Sequence, residues 1–276
     1  MSGGRQAREP KTAASRRRLD TWLVEHGLAE SREKAQALIM AGRVRVGGLP
    51  SDKPGEPVRD DVAVEVLPGP EHVGRGALKL GGALDALGLD PEGCVALDVG
   101  ASTGGFTETL LARGASRVYA VDVGRGQLHE RLRTDPRVVV LDGLNARSLS
   151  PRDVPEPCGF ATLDVSFISA LKILPALRSV LAEGASVAVL VKPQFEVGRF
   201  LVGHGGIVKD AALHLQALRD VAWAAQREMS YAVRGACASP VSGARGNREF
   251  FLHLLREGPP LPAGEFDEMM SRAVSA

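Results

Sequence analysis

Cysteine is scarce in this chain. Cys94, Cys158 and Cys237 lie far apart, with no CxxC pair and no zinc-ligand spacing. That pattern excludes a disulfide framework and a zinc module, and it predicts reduced thiols, no bound metal and a cytoplasmic protein. No apolar run is long enough to cross a bilayer, and the N-terminus lacks the apolar core of a signal peptide, so no membrane association is expected. Neither sign of charge prevails: 34 basic against 33 acidic residues leave a formal net charge of +1, which points to no partner class. No internal repeat is present, which excludes a solenoid or propeller.

Local charge and local pattern are more informative. Residues 5–18 hold six basic side chains (Arg5, Arg8, Lys11, Arg16, Arg17, Arg18) and one acid, Glu9. Such an arm suits nucleic acid, though solvated tails often have the same composition. Residues 1–15 read as a basic mobile tail. Residues 16–67 read as a compact α/β unit, 68–75 as a Pro/Gly-containing linker, 76–257 as a larger domain and 258–276 as a tail.

In the small unit, Leu19, Trp22, Leu23 and Val24 fall at helical spacing, and Gly27 closes that helix. Ser31 caps a second helix, with Ala35, Leu38 and Ile39 on its apolar face. The run Arg43 to Val46 alternates as a strand with arginines outward, Gly47 and Gly48 make a turn, and Val62, Val64 and Val66 alternate again.

The large domain alternates strands with helices. Strands are expected at 94–99, 117–122, 137–141, 160–164, 186–192, 231–238 and 249–255. Helices are expected at 77–87, 105–113, 126–133, 167–182 and 212–229. Near-continuous apolar strands suit a sheet covered on both faces. The alternation predicts a doubly wound, mostly parallel α/β sheet of Rossmann-like type. No helix separates the last two strands, so one of them is expected to be antiparallel.

Residues 98–106, Asp-Val-Gly-Ala-Ser-Thr-Gly-Gly-Phe, follow an apolar strand and open a helix. Gly100, Gly104 and Gly105 permit a tight turn and close backbone approach to a ligand. The loop has neither the GxGxxG spacing of a dinucleotide fold nor the GK[ST] of a phosphate loop. The next strand ends in Asp122, where a carboxylate can accept both ribose hydroxyls of an adenosine. A nucleoside-containing cofactor is therefore expected against Asp98, Gly100, Ala101, Ser102, Thr103, Gly104, Gly105, Phe106 and Asp122. Asp98 suits loop orientation, or a cofactor's charged amino acid end, better than chemistry. Asp142 ends the third strand and stands either near an adenine or simply in a loop.

Four charged residues fall where chemistry can occur. Asp164 closes the fourth strand and Lys192 the fifth, which puts both at the carboxyl edge of the sheet. Glu249 begins a late strand, and Lys79 lies in the early helix. Each also has an ordinary reading: Lys192 snorkels, Asp164 caps a helix, and Lys79 and Glu249 are solvated.

From Arg16 to about Leu255 the chain resembles the TlyA group, often labelled hemolysin-like, which joins an S4 RNA-binding domain to an FtsJ-like 2′-O-methyltransferase. The matching stretches are 18–20, 31–32, 41–46, 75–80, 96–106, 121–124, 164–169, 191–196 and 246–247, in order. Gly74 departs from the group, whose members often have Ser before the Arg-Gly pair. Gly47 also stands where Asp or Asn is more usual before the turn's second glycine.

The resemblance implies S-adenosyl-L-methionine as cofactor and a Lys-Asp-Lys-Glu tetrad of Lys79, Asp164, Lys192 and Glu249. In it Asp164 and Glu249 orient Lys192, which acts as base or as electrostatic stabiliser. It implies ribosomal RNA or ribosomal subunits as partner, with methylation at cytidine riboses of 16S or 23S rRNA. It also implies an S4-like surface of Arg17, Arg18, Arg32, Lys34, Arg43 and Arg45 that contacts RNA through phosphate and shape. Two competing readings are a membrane-active hemolysin and a non-catalytic RNA-binding module with a relic methyltransferase fold.

Overall fold

A computed structural model describes residues 16–40, 42–67 and 72–276. The tail expected at 1–15, with Arg5, Arg8 and Lys11, and positions 68–71 of the expected linker lie outside the described residues. The chain forms two compact units that divide between Glu71 and His72.

The first unit comprises β1 (Arg16–Arg18), α1 (Leu19–Glu25), α2 (Arg32–Met40), β2 (Val44–Val46), β3 (Leu49–Ser51), β4 (Pro57–Arg59) and β5 (Val64–Val66). β1 pairs with β4, and β2 is flanked by β3 and β5, all antiparallel. The pairing of β1 with β4 is not visible as alternation, because each strand is only three residues long. Gly27 ends α1 with φ +71°, and the Lys34 amide donates to Ser31 Oγ at the start of α2. Gly47 and Gly48, at φ +60° and +82°, make the two-residue turn between β2 and β3. Both positive angles are what a hairpin turn of this length demands.

Leu19, Trp22, Leu23, Ala35, Ile39, Val44 and Val58 form this unit's core. Asp20 is fully buried beside it. Its carboxylate accepts from Arg18 Nε (3.1 Å) and Nη2 (2.8 Å), Arg32 Nε (3.1 Å), Gln36 Nε2 (3.0 Å) and the Thr21 amide (2.9 Å). These donors hold the Asp20 carboxyl far below the usual carboxylate range, the Arg18 hydrogen bond being the largest influence.

Asp20→Ala is expected to cost about 2–3 kcal/mol, since it removes several charge-assisted hydrogen bonds at once. A unit this small has little stability in reserve. Limited proteolysis should therefore clip the variant within 16–67 while sparing 72–276. Because the folded pKa lies below the unfolded one, Asp20's contribution is complete above about pH 4 and drains away as pH falls further.

The second unit comprises α3 (Gly76–Leu87), β6 (Val95–Val99), α4 (Gly105–Ala112), β7 (Arg117–Asp122), α5 (Glu130–Arg133), β8 (Val138–Asp142), β9 (Cys158–Leu163), α6 (Leu174–Arg178), β10 (Leu181–Val191), α7 (Pro193–Glu196), α8 (Ala211–Arg227), β11 (Ala232–Ala238), β12 (Phe250–Leu255) and α9 (Ala263–Ser275). Its seven strands run in the order β11-β12-β10-β9-β6-β7-β8. β8, β7, β6, β9 and β10 are mutually parallel, and β12 is antiparallel to both β10 and β11. The sheet is buried on both faces. Leu97 and Val99 of β6 face a core with Leu177, Leu218 and Met270, while Ala96 faces one with Leu84, Phe106 and Leu110.

Three expectations need correction. The helix expected at 167–182 is a short 3₁₀ turn, Ala170–Lys172, followed by α6, after which β10 begins at Leu181. Pro175 at the start of α6 donates no backbone hydrogen bond, so the helix restarts there instead of continuing. The helix expected at 126–133 shrinks to α5. The tail expected at 258–276 contains α9, whose Phe266, Met270, Ala273 and Val274 are buried in the core.

Candidate active site

Parallel strands bring their carboxyl ends to one rim, where open α/β sheets bind ligands. Along that rim lies a cleft of about 540 Å³, walled by Gly100 and Ser102 after β6, Asp122 at the end of β7, Leu144 and Asn145 after β8, and Asp164 after β9. This volume suits a molecule of nucleoside size.

The glycine loop is shaped by crowding from behind. At Gly100, φ +86°, an added Cβ would overlap the Asp164 carbonyl oxygen and lie 2.8 Å from its carbon. Gly104 backs onto Leu128 and Leu132, and Gly105 onto the backbone of Gly76 and Ala77. The Asp122 carboxylate accepts from the Ser102 amide (2.8 Å) and the Gly124 amide (2.7 Å), which ties the loop to β7. Of the residues expected at the cofactor, Gly100, Ser102 and Asp122 line the cleft. Ala101 and Phe106 are buried in the core instead, and Thr103 is exposed outside it. Asp142 does not line the cleft either: it accepts from the Gly126 amide (3.0 Å) and Arg133 (2.7 Å).

Asp98 is fully buried beneath the loop and accepts from Thr107 Oγ1 (2.7 Å) and Thr162 Oγ1 (2.9 Å). It therefore ties β6 to α4 and β9, which supports the loop-orienting reading over direct contact with a ligand. Burial pushes its carboxyl up to about 6. Between pH 4 and 6 the unfolded chain would release this proton while the folded chain keeps it. The second unit should consequently lose up to about 3 kcal/mol as pH rises through that window, and no more above it. Urea unfolding of wild type and Asp98→Asn across pH 4–7 measures this as a difference that appears in the wild type alone.

The four charged residues meet as two pairs. Lys192 Nζ lies 2.5 Å from Asp164 Oδ1 and donates to Ser166 Oγ at 2.9 Å. Lys79 Nζ donates to Glu249 Oε2 at 2.6 Å. Sheet register explains the convergence. Val191 pairs with Phe250, so the next residues outward, Lys192 and Glu249, stand at the same rim although their strands run oppositely. Contrary to the expectation that Glu249 orients Lys192, its ion pair is with Lys79. Lys79, Lys192 and Glu249 are all buried, so the solvated reading fails for Lys79 and Glu249.

Sequence reasoning gives no role to Ser166, Leu144, Asn145 or Phe167. Ser166 is recoverable, since it stands two residues beyond Asp164 at the same strand end. Leu144 and Asn145 closely follow β8, where the strand-end acid Asp142 is the more conspicuous feature in sequence. Phe167 is 90% exposed, has φ +66° and lines the cleft. The three cysteines are free thiols, and burial pushes Cys158 up to about 12 and Cys237 up to about 11, so neither is a nucleophile.

The RNA-facing candidates of the first unit are mostly engaged internally. Arg18 and Arg32 hold Asp20, Arg17 pairs with Glu25 (2.5 Å), Lys34 pairs with Glu30, and Arg43 donates to the Leu67 carbonyl (2.8 Å). Arg45 is exposed and makes no ion pair among the described residues.

Residues 72–256 match the FtsJ-like methyltransferase family, and residues 17–64 match the S4 domain. The chain is 47% identical over 265 residues to the 16S/23S rRNA (cytidine-2′-O)-methyltransferase TlyA of Mycobacterium tuberculosis, covering 95% of this chain and 98% of that one. The chain belongs to the TlyA family. A Bacillus subtilis family member named as a candidate rRNA methyltransferase, YqxC, is 44% identical over 94% of this chain and 95% of its own. A solved Streptococcus thermophilus structure named as a candidate hemolysin superposes with a TM-score of 0.70 at 40% identity, covering 95% of this chain and 97% of that one. Hemolysin names thus occur within the family. Among the described residues of this TlyA-family chain, no helix is long and apolar enough to cross a membrane.

Proposed function

We propose that this chain transfers a methyl group from S-adenosylmethionine to a ribose 2′-hydroxyl of ribosomal RNA, at cytidine in the 16S or 23S molecule. One observation carries the reading: the Lys192 amine is held by Asp164 and Ser166, and both of these line the cleft. The name of the Mycobacterium tuberculosis relative supports the choice of RNA, ribose oxygen and base.

The cleft fits the cofactor in size and in donor set. The Asp122 carboxylate faces it with acceptor capacity for ribose hydroxyls, and apolar Val121, Leu144 and Ile168 offer a wall for an adenine. S-adenosylmethionine supplies a methyl carbon already activated by its sulfonium. What remains for the protein is to place an RNA oxygen in line and to favour that oxygen as its proton passes to solvent water.

A lysine ammonium has three donors, and Lys192 gives one to Ser166 Oγ while ion-paired with Asp164. A remaining donor is available to the 2′-oxygen, and the hydrogen bond and the ion pair together fix the position of the amine. The Lys79–Glu249 pair closes the same rim and helps place the ribose. Phe167, exposed over the cleft, offers a face for stacking an unpaired base. Recruitment of the RNA falls to the first unit, where Arg45 is the candidate least committed elsewhere.

The test is transfer of labelled methyl from S-adenosylmethionine to rRNA or ribosomal subunits taken from a strain lacking the protein, with the modified position mapped by resistance to alkaline cleavage. Label in an alkali-resistant dinucleotide is expected. Label on a base, or on no RNA at all, would overturn the reading.

A further inference from the structure

A second cavity, of about 830 Å³, adjoins the cofactor cleft and shares Phe167 and Ile168 with it. None of Lys79, Asp164, Lys192 and Glu249 lines it. Its composition is that of a nucleotide site. Phe167 and Phe195 form an aromatic wall, with ring centroids 5.3 Å apart. Exposed Lys172 and Arg199 stand on its rim. Gln194 lines it as well, and its buried Oε1 has no hydrogen-bond partner. Glu196, the acid in the lining, is committed within the protein. Its Oε1 accepts from the Ala170 amide (3.0 Å), which holds the turn carrying Lys172.

Buried amide oxygens are rarely left unpaired; the Gln194 oxygen is closed to solvent where it stands, and with no partner in the protein to hold it, the side chain is free to turn this oxygen toward a ligand N–H in the cavity. Aromatic faces with flanking cations are the means by which proteins hold single-stranded nucleotides. We propose that this cavity is a subsite for the unpaired nucleotide adjoining the methylated one in the same RNA strand, stacked on the aromatic wall and hydrogen-bonded by Gln194, with Lys172 and Arg199 on its phosphates. The subsite rests on the reading of this chain as an RNA methyltransferase, and it extends that reading to a requirement for at least two unpaired nucleotides. Phe167 is then the partition between target and neighbour.

Gln194→Leu separates this role from a structural one. A glutamine kept for stability would destabilise on replacement, whereas removing an unpaired buried oxygen leaves stability unchanged or raised. The assay uses the full-length protein, labelled S-adenosylmethionine and an rRNA transcript carrying the mapped site, with each of the four bases in turn at the neighbouring positions.

Gln194→Leu should melt no lower than wild type and bind cofactor within twofold of it. Its KM for RNA should rise about tenfold, which corresponds to about 1.4 kcal/mol, and its discrimination among neighbouring bases should shrink. Lys172→Gln should raise KM for every neighbouring base alike and flatten the dependence on salt. KM values within twofold of wild type for both variants would overturn the subsite while leaving the transferase reading intact. Failure of the unaltered protein to methylate RNA would overturn both.

Discussion

Lys192→Ala should lower methyl transfer to RNA by about a thousandfold, or about 4 kcal/mol in activation free energy, while the protein stays folded and binds S-adenosylmethionine normally. The magnitude is that of losing a preorganised donor aimed at a developing negative oxygen. The survival of the fold follows from exposure. Asp164, the partner left behind, lines the open cleft with a side chain 22% exposed, and although the oxygen that faces the amine is buried, removing the lysine side chain leaves room there for water from the cleft.

Lys79→Ala differs in this respect. Its partner Glu249 has a side chain only 2% exposed, and stranding that charge costs about 3–5 kcal/mol of stability. Activity loss in Lys79→Ala therefore reports first on folding, and Lys192→Ala is the informative variant. Single-turnover rates with saturating RNA, alongside cofactor affinity by calorimetry, give the comparison. A folded Lys192→Ala protein that methylates RNA at near wild-type rate would remove Lys192 from the mechanism.

Gly100→Ala should weaken cofactor binding at least tenfold and lower the melting temperature of the second unit. At φ +86° an alanine is strained, and its methyl would meet the Asp164 main chain, which cannot move aside as a side chain would. Relief requires shifting either the glycine loop, which carries Ser102 toward Asp122, or the strand end that carries Asp164. Both are walls of the cleft, so the damage spreads from one methyl to cofactor and lysine together. Gly81→Ala is the control: it lies in α3 with nothing within 4 Å of an added Cβ, and alanine there should be neutral or stabilising by up to about 1 kcal/mol. Titration calorimetry with S-adenosylmethionine measures the first effect and thermal melting the second. Equal affinity in Gly100→Ala and wild type would show that the loop does not form the cofactor's seat.

Much of the second unit is legible in sequence because its strands are short apolar runs separated by amphipathic helices, and that alternation has few topological solutions. β6, β7, α3, α4 and α8 stand within a residue or two of their expected positions. The helix expected at 167–182 fails because periodicity carries it past Pro175 into residues that extend β10. α9 escapes a reading of the sequence because its apolar residues acquire meaning only when β11 and α8 present a surface to cover.

The site divides in the same way. Asp122, Asp164 and Lys192 are legible because strand ends are local features, and a polar residue that terminates an apolar run is conspicuous in sequence. Phe106 and Ala101 suggest cofactor contact because they belong to the glycine stretch, yet a tight turn alternates its residues between ligand and core, and these two face the core.

By itself the sequence determined the two-unit plan, the parallel sheet and the glycine turn, since each is written in the spacing of neighbours along the chain, whereas the four charged residues come together as a set only through the resemblance to the TlyA group. The tertiary structure decided which charges pair: Glu249 with Lys79, and Lys192 with Asp164 and Ser166. Those partnerships join residues as far as 170 positions apart. Lys192 meets Asp164 and Ser166 through the parallel register of β9 and β10, and Glu249 reaches the rim through the antiparallel register of β10 and β12, neither of which any short stretch of sequence contains.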